Sequence, residues 1–466
     1  MMSPNILFVF SDQHRHNVMG CAGHPLVETP TLDKLAGRGT RFTNTWCQSP
    51  ICQPSRASII TGRYAHEVGV VGNTGGFDPE WPTVMKQLQK SGYETATIGK
   101  THYHESYQEP QESGQIDMRK FSDFVGRFGW DYVVEEFDKY LHASRRLKTP
   151  YTDHLEAHGV LDDYRQQIKD VFRLTPEHWR GETSVLPQEL DLTSFIADEA
   201  VSWLKKRSDE KPFFLKLAFV QPHVPLIDDP DWAAFYADAD VEVPALTPAE
   251  IPNETWGKYL GVLNKHSQVE TMTEDFVRSG VRHYLGMVSL VDQKLGEVID
   301  TLSEIGQLDN TWIVYCCDHG EMLGEHRLWA KMNFYRGSVQ VPLIICPPGG
   351  MPGRVEESLT ELTDVTATLA EIGGADAPDG CCGHSLLPAL EGKVAGRELL
   401  HSRIGHFAGI RNDRYRYTGF LGEGTDCELF DLLDDPAETR NLVNDPAMTA
   451  IISDLRTTLL DHEQSS

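Results

Sequence analysis

The sequence predicts an α/β protein: a large, mainly parallel sheet flanked by helices, then a smaller C-terminal unit of antiparallel strands and one helix. Three observations carry this. Short apolar runs without polar alternation recur along most of the chain, as in strands covered on both faces. Amphipathic stretches lie between them, as crossover helices do in a parallel sheet. Beyond about residue 383 the pattern changes to short strand-like runs separated by turn residues.

The runs at 5–10, 94–98, 213–220, 311–316 and 341–346 are rich in β-branched and aromatic residues and read as buried strands. Helical periodicity occupies 31–38, 83–91, 192–206, 281–305 and 363–372. Pro54 suits the first turn of a further helix, and Thr61-Gly62 suits its end. The middle of the chain, roughly 103–211 and 226–280, reads as polar, irregular insertions near one face. In the tail, 407–411, 415–420 and 428–432 read as an antiparallel sheet closed by a helix at 446–462. The expected division is a catalytic α/β domain over 1–382 and a small α+β subdomain over 383–466.

Composition excludes several classes. The 466 residues include 42 Lys and Arg against 69 Asp and Glu, a net charge of −27, which repels phosphate backbones and argues against nucleic-acid binding. The nine cysteines form no CxxC pair, so a zinc ribbon or thioredoxin-like site is not expected, and they read as reduced thiols. No apolar run approaches the roughly 18 residues of a membrane span. The apolar stretch at 6–10 is too short for a signal peptide and no basic segment precedes it, so a cytoplasmic location is expected.

The chemistry gathers at the ends of the apolar runs. The first ends in Ser11-Asp12-Gln13, the second in Gly99-Lys100-Thr101-His102, the third in Gln221-Pro222-His223 and the fourth in Asp318-His319-Gly320. In an open parallel sheet the carboxyl ends share one edge, where ligands bind. Singly, each has a bland reading as a turn residue, a helix cap, a solvated charge or a structural histidine; four such ends together point to a site. Cys52-Gln53-Pro54-Ser55-Arg56 adds a cysteine just before a helix N-terminus, where unpaired N–H groups favour an anion, with Arg56 one turn on. A lone cysteine there would by itself read as structural. A cysteine phosphatase loop is excluded because position 58 is Ser, and Glu94 breaks a GxxxxGK[ST] loop. Neither GxGxxG after a strand nor a GxSxG elbow occurs.

Cys52-x-Pro-Ser-Arg56 with Thr61-Gly-Arg63 resembles the signature of the type I sulfatases of the alkaline phosphatase superfamily. The resemblance spans most of the chain: Pro4-Asn5 with Asp12, Thr29-Pro-Thr-Leu-Asp33, Gly99-Lys100, Gln221-Pro-His223, the segment from Asp318 to His326 with Lys331, and Glu428-Leu-Phe-Asp431 with Asp435-Pro436. It implies an alkaline phosphatase-like fold and a sulfuric ester hydrolase whose motif cysteine, Cys52, is oxidised to Cα-formylglycine by a formylglycine-generating enzyme. It implies one divalent metal, Ca²⁺ first with Mn²⁺ or Zn²⁺ as alternatives, at Asp12, Gln13, Cys52, Asp318 and His319. It gives catalytic roles to Cys52, Arg56, Lys100, His102, His223 and Lys331, and substrate contacts to Gln13, Lys100, His223 and Lys331. Gln13 stands where many members carry a second Asp, and Asp-Gln is similar to the choline sulfatase and phosphonate monoester hydrolase branches; His319 replaces an Asn of many arylsulfatases. The implied substrate is a small-molecule or saccharide sulfate ester. A phosphonate monoester or phosphodiester at the same site stays open, as does a non-catalytic metal-binding scaffold.

Overall fold

The computed structural model describes residues 3–104, 116–144, 146–171, 179–267, 270–393 and 396–465. Eight strands form one sheet in the order β10-β2-β9-β8-β1-β6-β3-β4. In chain order these are β1 (Asn5–Ser11), β2 (Thr40–Trp46), β3 (Glu94–Gly99) and β4 (Tyr132–Glu135), then β6 (Phe213–Ala218), β8 (Thr311–Cys317), β9 (Gln340–Cys346) and β10 (Arg354–Glu361). Two short strands, β5 (Glu182–Thr183) and β7 (Ile227–Asp228), pair with each other. All strands of the large sheet run parallel except β9, which is antiparallel to both β2 and β8.

The alternation of β1 shows why its run is continuously apolar. Ile6, Phe8 and Phe10 enter one core, and Leu7 and Val9 the other. Helices Cys52–Thr61, Val84–Lys90 and Leu362–Ile372 cover the first face through residues such as Ile59, Leu88 and Val365. Helices Pro30–Gly37, Leu192–Lys206 and Glu274–Glu304 cover the second through Leu32, Ile196 and Leu295. With both faces dry, side chains on either face are removed from water.

Four antiparallel strands follow, β11 (Leu400–Ile404), β12 (Phe407–Arg411), β13 (Tyr415–Phe420) and β14 (Thr425–Asp431). Helix Thr449–Ser465 packs Ile452, Leu455 and Leu459 on one face of this sheet, against Ala408, Ile410 and Leu429. Arg411 ties it to β2 and β9 by donating to Asn44 Oδ1 at 3.0 Å and to Gln340 Oε1 at 3.2 Å.

The structure corrects the expected elements in three ways. Strands β2, β4, β10 and β11 lie where no strand was expected; β2 (TRFTNTW) and β10 carry polar residues because each has a half-buried face. The supposedly irregular middle contains helices Pro150–Ala157, Leu161–Val171 and Glu254–Ser267. Their apolar residues keep helical spacing (Tyr151 and Leu155, Tyr164 and Ile168, Trp256 with Leu260 and Leu263) but are diluted by charges. The long helix starts at Glu274, capped by the Thr273 hydroxyl, rather than at 281. Parts of the expected insertions, 105–115 and 172–178, lie outside the described residues.

Candidate active site

Because seven strands point the same way, β1, β3, β6 and β8 end on one edge of the sheet. Backbone geometry there is unusual. Gly99 has φ +107°, and a Cβ at that position would lie 1.9 Å from the Ala218 carbonyl oxygen, so only glycine lets β3 approach β6 just before Lys100. Gln13 (φ 67°) and His102 (φ 60°) are left-handed non-glycine residues, a conformation costing of order 1 kcal/mol that surrounding contacts must hold. Tyr284 does so at Gln13, its hydroxyl donating to the Gln13 carbonyl at 2.7 Å.

Asp12, Cys52, Asp318 and His319 converge, each offering one ligand atom with all four within 4.8 Å of one another. All are buried. The Cys52 sulfur is 3.2 Å from His319 Nε2 and 3.9 Å from Asp12 Oδ1. His319 Nδ1 lies 3.2 Å from the Gly320 carbonyl, so Nε2 is the nitrogen turned to the cluster, 3.7 Å from both Asp12 and Asp318. Two carboxylates, an imidazole oriented by a carbonyl and a sulfur form a donor set that fits a divalent cation. Cys52 is not just before its helix but is its first residue, with Ile51 as N-cap, and it is buried rather than facing solvent.

Arg56, one turn along, is wholly buried. Its Nη2 donates to Asp12 Oδ2 at 3.0 Å, its Nε to Asp318 Oδ2 at 2.9 Å and its Nη1 to the Lys100 carbonyl at 2.5 Å. Lys100 Nζ donates to Asp12 Oδ2 at 2.6 Å and also to Asp138 Oδ1. Burial opposes ionisation of Asp12, but Lys100, His223, Arg56 and His319 outweigh it and hold its carboxyl well below the usual range. Burial likewise opposes the Lys100 ammonium, and Asp12 and Asp138 outweigh it and raise its pKa. Burial pushes His319 down to about 4, with Lys331 acting in the same direction and Asp318 against it. The His102 ring is held well below its ordinary range by burial and then by Lys100; neither ring nitrogen has a hydrogen-bond partner among the described residues.

Opposite Lys100, Lys331 Nζ lies 2.8 Å from His223 Nε2 and donates to Gln13 Oε1. The other end of the Gln13 amide donates to Glu321. The Gln13 side chain therefore bridges Glu321 and Lys331, while its backbone N–H donates to Asp318 Oδ1 at 3.1 Å. Lys331 sits in a tightly wound loop in which Leu323, His326, Arg327, Ala330 and Met332 are all left-handed. Glu321 pins this loop by accepting from the N–H groups of Leu323 and Ala330.

Every residue singled out from the sequence for the site lies at this edge. The sequence reading missed Asp138, just beyond β4, whose carboxylate joins Asp12 and His223 in a second group within 4.8 Å. The Lys100 ammonium bonds both acids of that group and so occupies the place of a cation there. The acidic pair Glu135-Glu136 before it was the available signal.

The sulfatase family model matches residues 4–375, and the model of the N-sulphoglucosamine sulphohydrolase C-terminal region matches 324–465. An arylsulfatase of Clostridium perfringens is 29% identical over 98% of this chain and 94% of its own length. A choline-sulfatase of Rhizobium meliloti is 29% identical over 95% and 83%. The crystal structure of a phosphonate monoester hydrolase of Agrobacterium radiobacter shares the fold, with a TM-score of 0.79, 23% identity and coverage of 99% and 96%. The chain belongs to the sulfatase family of the alkaline phosphatase superfamily and is a sulfuric ester hydrolase.

Proposed function

We propose that the protein hydrolyses a small-molecule or saccharide sulfate ester through a formylglycine hydrate derived from Cys52, releasing inorganic sulfate and an alcohol. The observation that carries this is the meeting of Cys52 with Asp12, Asp318 and His319 at the start of a buried helix. Asp12, Asp318, His319 and the modified Cys52, with Gln13 alongside, would hold one divalent cation, Ca²⁺ in this reading. When bound it supplies positive charge that acidifies the hydrate and neutralises sulfate.

Arg56 and Lys100 hold the hydrated aldehyde. One hydroxyl of the hydrate attacks sulfur, and the bond from sulfur to the alcohol oxygen breaks. His223 and Lys331, 2.8 Å apart, bind the sulfate oxygens and deliver the proton to the leaving alcohol. Gln13, bridged to Lys331, contacts the substrate. His102, whose ring nitrogens have no hydrogen-bond partner among the described residues, takes the proton of the second hydroxyl. The carbon–oxygen bond to sulfate then breaks, sulfate leaves and the aldehyde returns, to be hydrated again by water.

Maturation requires a formylglycine-generating enzyme acting on Cys52. A reducing compartment, the cytoplasm in our reading, suits nine cysteines that are all unpaired. No helix among the described residues is long and apolar enough to cross a membrane. Residues 383–466 act in this reading as a subdomain that buttresses the catalytic unit over 1–382. The second reading, a phosphonate monoester hydrolase, is favoured by Gln13 in place of a carboxylate. Turnover of 4-nitrophenyl sulfate against a 4-nitrophenyl phosphonate ester, with mass spectrometry of the Cys52 peptide, tests both. Sulfate preference with an aldehyde at position 52 is expected. A large phosphonate preference would replace the first reading by the second, and an unmodified thiol in the native host with no turnover would refute both.

A further inference from the structure

Asp138 has no part in the mechanism above, yet it reaches groups on both sides of the reacting centre. Its carboxylate is 2 % exposed, accepts from the Lys100 ammonium and stands 3.7 Å from His223 Nδ1. His223 is in turn joined to Lys331. The segment carrying Asp138 is anchored throughout. Glu135 accepts from the N–H groups of Thr101 and His102, Glu136 accepts from Tyr151 N at 2.9 Å, and Lys139 Nζ donates to the Ile227 carbonyl at 2.9 Å. These bonds anchor the segment on either side of Asp138, and the Lys100 ammonium holds its carboxylate, so its charge is a fixed feature of the site.

That charge sets a balance. Before any divalent cation is counted, three buried carboxylates, Asp12, Asp138 and Asp318, pair with two buried cations, Arg56 and Lys100, and Lys331 lies beyond them on Gln13 and His223. Without Asp138 the groups around the ester would carry one more positive charge and would suit a doubly charged ligand. With it, the second charge of a dianion meets a carboxylate that cannot move aside. The group transferred from a sulfate ester or a phosphonate monoester carries one negative charge, while that of a phosphate monoester carries two above its second pKa near 6.

We propose that Asp138 is a specificity-determining and positioning residue: it fixes Lys100, places a negative charge beside His223, and selects esters whose transferred group bears one negative charge over those bearing two. The inference rests on the active-site assignment of the preceding section but not on the choice between sulfate and phosphonate.

The test compares wild type with Asp138→Asn, both matured and supplied with Ca²⁺, on 4-nitrophenyl sulfate, 4-nitrophenyl phenylphosphonate and 4-nitrophenyl phosphate at pH 8. Wild type should favour the singly charged esters in kcat/KM. In Asp138→Asn the ratio of phosphate monoester to singly charged ester should rise at least about tenfold, the effect of one unit charge up to about 12 Å away at an effective dielectric near 20. A merely structural role would depress all three substrates alike and leave the ratio unmoved. An unchanged ratio in a folded Asp138→Asn overturns the proposal, as does a wild type that prefers the dianion. If thermal melting shows that Asp138→Asn does not fold, Asp138→Glu decides. An unchanged ratio supports the charge assignment, and a shift toward the dianion with the charge retained refutes it. Turnover of the phosphonate without the sulfate would sink the sulfatase reading alone, because both esters carry one charge.

Discussion

Replacing Arg56 by Met removes a guanidinium that holds together the two acids of the metal cluster. Both of its carboxylate contacts, to Asp12 at 3.0 Å and to Asp318 at 2.9 Å, join side chains with no solvent exposure. Methionine keeps much of the volume against the Phe10 ring, over which the guanidinium lies 5.0 Å from the centroid, so the packing loss is small. The electrostatic loss is large. Asp12 keeps Lys100, but Asp318 Oδ2 loses the side-chain donor that Arg56 supplied, while Oδ1 retains the N–H groups of Gln13 and His319. Removing one partner from a buried pair costs about 3–5 kcal/mol, and the survival of Lys100 places this case near the lower end, about 3 kcal/mol. The assay is guanidinium denaturation at pH 7.5, first with chelator and then with Ca²⁺. With chelator Arg56→Met should lose about 3 kcal/mol, and Ca²⁺ should return part of it, because a cation among Asp12 and Asp318 relieves the same repulsion. A loss below about 1 kcal/mol with chelator would show that the two acids do not depend on Arg56, and the electrostatic account of the site would fail.

The other predictions address separate links. Gly99→Ala forces a Cβ to 1.9 Å from the Ala218 carbonyl oxygen, so it should cost at least about 3 kcal/mol and displace Lys100; a melting temperature within a few degrees of wild type would contradict this. Cys52→Ala should abolish ester turnover while costing at most about 2 kcal/mol, since it removes one small buried atom; retained turnover would remove Cys52 as nucleophile. Burial pushes Glu136 up to about 8, so its folded form keeps a proton that the unfolded chain loses above its ordinary pKa near 4.5. Wild-type stability from this group is therefore present at low pH and lost as pH rises from 4.5 through 8. Glu136→Gln escapes that loss and should gain on wild type by on the order of 3 kcal/mol between pH 5 and pH 8.5, read from urea midpoints; a constant difference would disprove the assignment.

What could be read from the sequence and what could not follow from the same physics. Strands β1, β6 and β8 announce themselves because both faces are covered, so nearly every residue is apolar, and β3 does so by its β-branched Thr95, Thr97 and Ile98; in each the chemistry begins abruptly, at Asp12, Lys100, Gln221 and Asp318. Parallel topology then brings those ends to one edge without any contact having to be foreseen. Strands β2 and β10 escaped notice because half-buried positions interrupt their runs with Arg, Asn and Glu. The acids around β4 were harder to see. In one dimension Glu135-Glu136-Phe137-Asp138-Lys139 is a charged patch, and a charge run ordinarily lies in solvent. Here it is buried because its partners come from elsewhere: Lys100 from β3, the N–H of Tyr151 from a helix start and the carbonyl of Ile227 from β7.

That dependence on distant partners also explains how a chain with a net charge of −27 can handle an anion. Long-range repulsion from surface acids is screened within about 8–10 Å at physiological salt. The field at Cys52 is set instead by buried groups a few ångström away, where water does not intervene and each charge counts for several times its value in solvent. Arg56 and Lys100 are fixed there by carboxylates that keep their own ionised state because the cations are present, and Lys331 is held by Gln13 and His223. Neither set is stable in the interior without the other, so burial of the ions and capacity for an anionic ester arise from one network. Asp138 is its adjustable member, because it contacts Lys100 and His223 without belonging to the four-residue metal cluster. A change at that position can alter which charge the site accepts while Asp12, Asp318, His319 and Cys52 stay where they are.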